Sequence, residues 1–149
     1  MACYCFLRNI VDLYSTGDQT AYVRRFGVPF KGPLYPFGAS VKYFPIAQKD
    51  KELTHELGPK TLPGIFMGYK QEAGGGWDGN LPVCDTDELQ QAACYNDIYV
   101  KTFKAAEVLD DFIDGKPWFP VAAETVQQPS SASRLRGARL DRRKLNKKE

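Results

Sequence analysis

The spacing of apolar residues predicts two helices at the start of the chain. In residues 1–14 apolar side chains recur every three or four positions, which is typical of an amphipathic helix. Thr20 as N-cap and Gly27 as stop residue predict a second, short helix that ends at Phe26. Two helices of this size are too small to bury each other. We therefore interpret the first helix as part of something larger, with an apolar face that lacks a partner in this chain.

Proline and glycine then mark a change to extended structure. Residues 28–38 contain three prolines and two glycines and predict an extended connector. Alternation of apolar and polar positions over 39–43 predicts a first strand, which Pro45 ends. The polar residues 46–60 predict a long loop with one helical turn around 53–57.

The most strand-like run of the chain is Leu62–Tyr69, which is apolar and lies between turn signals. It predicts a strand over 64–71. Gly68 interrupts this strand and predicts a bend or a close backbone approach. Strands that bend sharply are what a small closed barrel needs. Alternation over 95–103 predicts a third firm strand.

Weaker patterns lie between and after these strands. Residues 74–80 are rich in glycine and contain Asp-Gly, which predicts a hairpin turn. Leu81–Cys84 predicts a short return strand, and Pro82 places it at a sheet edge. The remaining segments predict a helical turn in 85–93, a weak helix in 105–112 and an extended piece in 115–121.

Composition predicts an intracellular protein of one domain, or of a small domain with appendages. A chain of 149 residues with 43% hydrophobic content can form one core. Charged residues interrupt every apolar run before it reaches membrane-spanning length. The N-terminus lacks a basic lead-in and a small-residue cleavage site, so no signal peptide is expected. The four cysteines then predict reduced thiols, in the nucleus or the cytoplasm.

Charge is divided unevenly along the chain. A Gln/Pro/Ser-rich and then basic composition predicts a disordered basic tail over 124–149. Residues 134–149 hold eight Arg or Lys against two acidic residues, a charge of +6. The rest of the chain holds 12 basic and 16 acidic residues, a charge of −4. This split indicates either a tail that contacts nucleic acid or a tail that contacts only solvent.

Sequence motifs for catalysis and cofactor binding are weak. Residues 74–79 match G-x-G-x-x-G, but no helix follows to receive a pyrophosphate, so dinucleotide binding is not expected. The cysteines and His55 have none of the usual zinc-ligand spacings. The acidic groups at 85–88 and 110–114 lie on predicted loops or helix ends rather than on rigid elements. We therefore predict no catalytic residue, no metal ligand and no cofactor.

Lysines and one tryptophan near the predicted strands are candidate contacts to nucleic acid. Lysine can contact phosphate, and an exposed aromatic ring can stack on bases or hold a methylated cation. The alternatives are a solvated sheet face for the lysines and the core for the aromatic residues. We expect Phe66, Ile98 and Val100 in the core and Trp77 exposed. The full candidate set is Lys42, Lys60, Lys70, Trp77, Lys101, Lys104, Arg134, Arg136, Arg139, Arg142, Arg143 and Lys144.

Four segments occur in an order that resembles the end of the integrase in polyproteins of Ty1/copia-type retrotransposons. They are Thr20–Gly27, Pro36–Ala39, Pro63–Tyr69 and Ile98–Phe103. In that family T-P-Y-E-x-x-F/Y-G follows the last helices of the catalytic core, and F-G, G-I-F-x-G-Y and V-x-x-x-x-V/F strands then form an SH3-like barrel. Ala21 and Val23 stand where the family has Pro and Glu, and segments 74–79 and 84–94 replace its Y-R-V/L-Y-D strand. The resemblance covers residues 2–123.

The resemblance implies a mainly β (α+β) fold with four parts. These are a helical remnant of the integrase core (1–27), the connector (28–38), an SH3-like barrel (39–123) and the tail (124–149). The family's Asp, Asp, Glu metal-binding triad has no matching position here and would lie upstream of Met1. The resemblance therefore implies a chain without catalytic activity.

Two functions remain open at this point. The first is a non-catalytic fragment of a copia-type Gag-Pol polyprotein, whose SH3-like module takes part in DNA integration. Its partners would be DNA, through the barrel face and the tail, and other parts of the integrase polyprotein. The second is a non-enzymatic protein-interaction or chromatin-reader barrel. A membrane partner is not expected in either case.

Overall fold

The computed structural model describes residues 2–13, 17–54, 57–58 and 60–126, which form an α+β fold around a five-stranded antiparallel sheet. The predicted tail beyond Val126, with its six candidate residues, lies outside the described residues. The helices are α1 (Ala2–Val11), α2 (Ala21–Phe26), α3 (Gln48–Lys51) and α4 (Thr86–Gln91). The strands are β1 (Ser40–Tyr43), β2 (Leu62–Phe66), β3 (Asn80–Asp85), β4 (Val100–Lys104) and β5 (Val108–Asp110), with 3₁₀ turns at Tyr95–Asp97 and Ala105–Glu107.

The sheet is a meander of four strands to which the fifth strand returns. Its order is β4-β3-β2-β1-β5, and every pair is antiparallel. In the register Gly64 lies opposite Val41, and Leu81 lies opposite Phe103. The predicted α+β class is thereby confirmed. In this order β4 and β5 are the outermost of the described strands.

One face of the sheet carries the main core, which we call the inner cluster. Val41, Tyr43, Phe66, Leu81 and Val83 are completely buried there, and Phe103 and Val108 nearly so. Their alternation with outward residues follows the two-residue period of a strand, so each strand contributes every second side chain to the core. Burial of Phe66 confirms its predicted place in the core.

Helix α1 packs on the same inner cluster, so the expectation that it lacks a partner in this chain is wrong. Phe6 is 3% exposed, and Cys3 is also buried. The ring centroid of Phe6 lies 4.8 Å from that of Tyr69, 5.7 Å from that of Phe30 and 6.0 Å from that of Tyr22. Helix α2, the connector and the segment after β2 therefore supply the partner that the apolar spacing of α1 requires.

Gly68, where a bend or a close backbone approach was predicted, has an unusual backbone conformation, and the regular strand ends earlier than predicted. Gly68 has φ of +135°, a conformation that side chains rarely adopt. Just before it, the Met67 N–H donates to the Pro82 carbonyl at 2.9 Å. Pro82 has no N–H to donate in return, so β2 ends at Phe66.

The predicted edge position of Pro82 is wrong, because β3 lies between β2 and β4. Pro82 is tolerated in this central strand because β2 ends opposite it. No backbone hydrogen bond from position 82 to β2 is therefore needed there.

The alternation of residues near β4 led to a wrong prediction of which side chains of this strand face the core. Val100 was expected in the core, yet it is 41% exposed, whereas Lys101 and Phe103 point to the inner side. Ile98 packs at the edge of a second apolar cluster instead. Both sets of alternating positions include apolar residues, and packing of Phe103 on Tyr43, with ring centroids 4.7 Å apart, decides between them.

Other local predictions differ in their outcome. Thr20 accepts a hydrogen bond from the Val23 N–H and Gly27 is left-handed, which confirms α2 with both caps. A helical turn lies just before the expected 53–57, as α3. Residues 55 and 56 of the expected turn lie outside the described residues. The weak helix expected in 105–112 is instead a 3₁₀ turn followed by β5.

Gly64 of β2 leaves no room for a side chain between its neighbours in the sheet. A Cβ atom at this position would lie 2.5 Å from Cγ1 of Val83 and 3.0 Å from Cδ1 of Tyr43. Even a methyl group would therefore displace two completely buried side chains.

The hydroxyl of Tyr69 fixes the connector to the sheet. It accepts from the Tyr35 N–H and donates to the Pro33 carbonyl, each at 2.8 Å. Burial raises the pKa of Tyr69 to about 12, although the Tyr35 N–H opposes this rise.

We expect Tyr69→Phe to lower the free energy of unfolding by about 1–3 kcal/mol, because two buried backbone groups lose their partner. The phenol ionises near pH 10 in the unfolded chain but only near pH 12 in the folded chain, so its contribution is complete below about pH 10 and is lost as pH rises through about 12. Urea unfolding of both proteins at about pH 8 and about pH 11 measures the effect. A stability difference between them that is equal at the two pH values would contradict the prediction.

Candidate nucleic-acid surface and outer cleft

Two of the lysines predicted to contact nucleic acid are in ion pairs on the surface. Lys42 Nζ lies 2.8 Å from Oδ1 of Asp111, and this ammonium group lowers the pKa of the Asp111 carboxyl. Lys70 Nζ lies 3.6 Å from Oδ2 of Asp78. Each positive charge is thus accompanied by a carboxylate of the same chain, which weakens its attraction for phosphate.

The candidate lysines of the sheet lie on strands that are not neighbours. Lys60 and Lys104 are exposed. Lys42 lies on β1, and Lys101 and Lys104 lie on β4, with β2 and β3 between these strands. Their role in binding nucleic acid stays a prediction.

Lys101 belongs to a set of buried polar side chains at one end of the inner face. We call Tyr43, Asp50, Asp85, Glu88 and Lys101 the polar cluster. Lys101 Nζ lies 2.9 Å from Oδ2 of Asp50 and 3.3 Å from Oε1 of Glu88. The side chains of Lys101 and Asp50 are only 16% and 8% exposed.

Burial lowers the pKa of Lys101, but the hydrogen bond from Lys101 to Asp50 and the charges of Glu88 and Asp50 outweigh this and raise it above its ordinary value. Lys101 is therefore fully charged at neutral pH and serves as the counter-ion of two carboxylates. The other oxygen of Glu88, Oε2, is buried and is without a hydrogen-bond partner among the described residues.

Asp85 connects three elements within the polar cluster. Its Oδ1 accepts from the N–H groups of Asp87, at 2.8 Å, and Glu88, at 3.0 Å, and so caps α4. Its Oδ2 accepts a hydrogen bond from the Tyr43 hydroxyl. Burial and this carboxylate raise the pKa of Tyr43 far above its ordinary value. Apart from Oε2 of Glu88, the cluster is thus held together by its own hydrogen bonds and ion pairs.

The described residues contain no group of three or more His, Cys, Asp or Glu side chains that could hold a metal ion. The polar cluster is no exception, because the ammonium group of Lys101 lies between the carboxylates of Asp50 and Glu88, where a cation would bind. Its geometry is that of a structural ion-pair network.

Trp77 was expected to be exposed, and this expectation is wrong. The ring packs against Phe30, with centroids 5.1 Å apart, and belongs to the border of the inner cluster. Its Nε1–H donates to the Asn80 carbonyl at 2.8 Å. The turn that carries Trp77 folds back on the connector, so the ring is not presented for stacking on bases.

The opposite face of the sheet carries a smaller apolar cluster, which we call the outer cluster. Ile65, Cys84, Leu89 and Val126 are buried in it. Burial raises the pKa of the Cys84 thiol to about 11, with further contributions from Asp85 and Glu88, so this thiol is protonated at neutral pH.

Beside the outer cluster lies an apolar cavity of about 410 Å³, which we call the outer cleft. It lies between α4, the 3₁₀ turn at Tyr95–Asp97 and the segment 117–126. None of its lining residues is charged: Phe37, Gly38, Ile65, Met67, Cys84, Leu89, Tyr95, Ile98, Phe119, Val121 and Ala122. One sequence signal for a second apolar cluster is the run of consecutive apolar positions in β2 and in β3, which is typical of strands covered on both faces.

Within the described ranges, none of the helices combines the length and apolar character that a membrane span requires. Comparison with family models, with curated proteins and with solved structures finds no match to the chain.

Proposed function

We propose that the chain is a non-catalytic SH3-like module of a copia-type integrase polyprotein that binds DNA through its basic segment 134–149. The observation that carries this proposal is the separation of charge. Three candidate lysines of the body, Lys42, Lys70 and Lys101, are paired with carboxylates, whereas residues 134–149 carry a charge of +6. Non-specific DNA binding requires unpaired positive charge, and the basic segment is its largest source in the sequence.

The strand order supports the SH3-like part of the proposal. A meander of four strands, followed by a 3₁₀ turn and a fifth strand that returns to the first, is the order found in SH3-like barrels. Here the turn at Ala105–Glu107 lies between β4 and β5, and β5 pairs with β1.

The places of the family-like segments are consistent with a scaffold role. Thr20–Gly27 forms α2 with both caps, and the departures at Ala21 and Val23 leave the N-cap hydrogen bond in place. Pro63–Tyr69 forms β2 and its bend, and Ile98–Phe103 contributes β4. The resemblance carries no position of the Asp, Asp, Glu triad onto this chain, so the proposal includes no catalysis.

The outer side of α1 supports contact with other parts of such a polyprotein. Tyr4, Val11 and Leu34 are each more than half exposed, and with Leu7 they line a shallow apolar groove. Adjacent exposed apolar side chains are typical of surfaces that meet another protein part.

The outer cleft favours a second candidate, a protein-interaction module. An apolar cavity of about 410 Å³ is within the size range of ligand pockets, and its aromatic lining could surround an apolar or methylated side chain. This function would need no DNA contact.

Binding to a fluorescent DNA duplex, measured at two salt concentrations, tests the proposal. We expect micromolar affinity that falls steeply with salt, because each phosphate neutralised contributes about −0.9 to the slope of log K against log salt. In the full chain, replacing Arg134, Arg136, Arg139, Arg142, Arg143 and Lys144 by glutamine should remove most of this slope. The matched control replaces the exposed body lysines Lys60 and Lys104 by glutamine and should change the slope by less than about 2.

Equal slopes for the wild type and the six-site variant would show that the basic segment does not supply the contacts. Absence of DNA binding by the wild type would favour the protein-interaction candidate instead.

A further inference from the structure

The outer cleft is an apolar cavity in an acidic setting. Two aromatic side chains at its margin, Phe37 and Tyr95, are 57% and 48% exposed. Segments 84–99 and 117–126, which supply most of the lining, contain no Lys or Arg. Their exposed charges are the carboxylates of Asp87, Asp97 and Glu124. A ligand suited to this cleft combines an apolar side chain with positive charge.

The described chain ends beside this cleft. Val126 is 6% exposed and packs in the outer cluster, which also includes Leu89 and Cys84 of the cleft wall. Seven residues, 127–133, separate it from the basic segment 134–149. Seven residues can span at most about 25 Å, a length sufficient to cross from Val126 to the neighbouring cavity.

The basic segment has the chemistry that the cleft requires. It contains three leucines, each flanked by or close to Arg or Lys: Leu135, Leu140 and Leu145. A leucine side chain fits an apolar cavity of this volume, and the neighbouring cations match the carboxylates around it.

We propose that the outer cleft binds the chain's own basic segment 134–149, with a leucine in the cavity and Arg or Lys beside Asp87, Asp97 and Glu124. That the segment binds the cleft is inferred from the cleft itself. That this binding competes with DNA rests on the proposed function, which assigns the same segment to DNA. Docking in the cleft then competes with DNA binding and lowers the affinity of the free chain for DNA.

The test uses a fluorescein-labelled synthetic peptide of residues 127–149 and two full-length proteins. One is the wild type. The other is a silent-segment variant, in which the three leucines are replaced by serine and the six basic residues 134, 136, 139, 142, 143 and 144 by glutamine. We expect the peptide to bind the silent-segment variant at least about tenfold more tightly than the wild type, whose cleft its own segment occupies. The difference should shrink at about 0.5 M salt, because the ionic part is screened.

Matched controls locate the binding. Phe37→Ser in the silent-segment variant should abolish peptide binding, whereas Tyr4→Ser, at an exposed aromatic residue of α1, should leave it unchanged. A peptide with serine at the three leucine positions should also fail to bind. Circular dichroism spectra that match the parent protein verify that each variant is folded.

Equal peptide affinity for the two full-length proteins, or no binding to either, would overturn the proposal. Concentration-dependent self-association of the wild type in sedimentation velocity would overturn it too, since the segment would then occupy the cleft of a second copy. The peptide assay contains no DNA, so its failure leaves the proposed DNA binding intact. Conversely, a failed DNA titration leaves a positive peptide result standing.

Discussion

Lys101→Met is expected to lower the free energy of unfolding by about 2–4 kcal/mol, although it replaces a lysine by an apolar residue of similar length. The side chain of Lys101 is the counter-ion of Asp50 and Glu88 inside the polar cluster. Without the lysine, the carboxylates of Asp50 and Glu88 remain close together in a largely buried site. No positive charge then offsets the cost of removing them from water or their mutual repulsion. The side chain of Glu88 is 33% exposed and so keeps some contact with water. The expected loss of stability is therefore smaller than the largest losses known for breaking a fully buried ion pair. Urea unfolding at neutral pH measures the change.

Two further variants separate this structural role from a contact to DNA. Lys104→Met, on the same strand but exposed, should change stability by less than about 0.5 kcal/mol. Adding Glu88→Gln to Lys101→Met should recover part of the lost stability, because one unpaired charge is removed. If Lys101→Met keeps wild-type stability but loses DNA affinity, the predicted nucleic-acid contact is correct and the structural role is not.

Phe6→Ala is expected to cost about 3–5 kcal/mol of unfolding free energy, which is the range for removing a large buried ring. Phe6 is 3% exposed and contacts the rings of Tyr22, Phe30 and Tyr69. These rings belong to α2, the connector and the segment after β2. Together with α1 itself, four parts of the fold would be loosened by one cavity. Thermal and urea unfolding should both show a single transition at lower temperature and lower denaturant.

Tyr4→Ala is the matched control, because Tyr4 lies in the same helix and is 62% exposed. It should change stability by about 0.5 kcal/mol or less. If both variants are equally mild, α1 is an appendage, as the sequence first suggested, and its packing on the sheet contributes little.

Local sequence patterns predicted those elements whose ends are determined by residues within or next to the element. The caps of α2 are Thr20 and Gly27, and the glycine that follows β2, Gly68, has a positive φ. In each case the signal and its structural effect lie within one turn of chain. Such features need no knowledge of the rest of the molecule.

Features that depend on distant partners could not be predicted in this way. Lys101 and Asp50 are 51 positions apart in the sequence, and nothing local distinguishes Lys101 from the exposed Lys104. Likewise, Trp77 lies in a glycine-rich turn that looks exposed until the connector packs against its ring. Alternation in β4 defines two faces but not which one meets Tyr43. Each of these outcomes is decided by packing between separate elements.

The same limit applied to the candidate site. The candidate lysines of the body share only a place near strands, and the carboxylates that pair with Lys42 and Lys101 come from distant parts of the sequence. The outer cleft has lining residues from four separate segments, so no single motif marks it.

The crowding around Gly64 limits which other sequences can adopt this sheet. Any side chain at that position would collide with Val83 and Tyr43, and Tyr43 is also held by Asp85 through its hydroxyl. A mutation at Gly64 could succeed only together with a smaller residue at position 83 and a shift of the ring at position 43. A sequence search for further members of this fold can therefore weight positions 43, 64, 83 and 85 as a linked set, spread over 43 residues, rather than relying on any one contiguous motif.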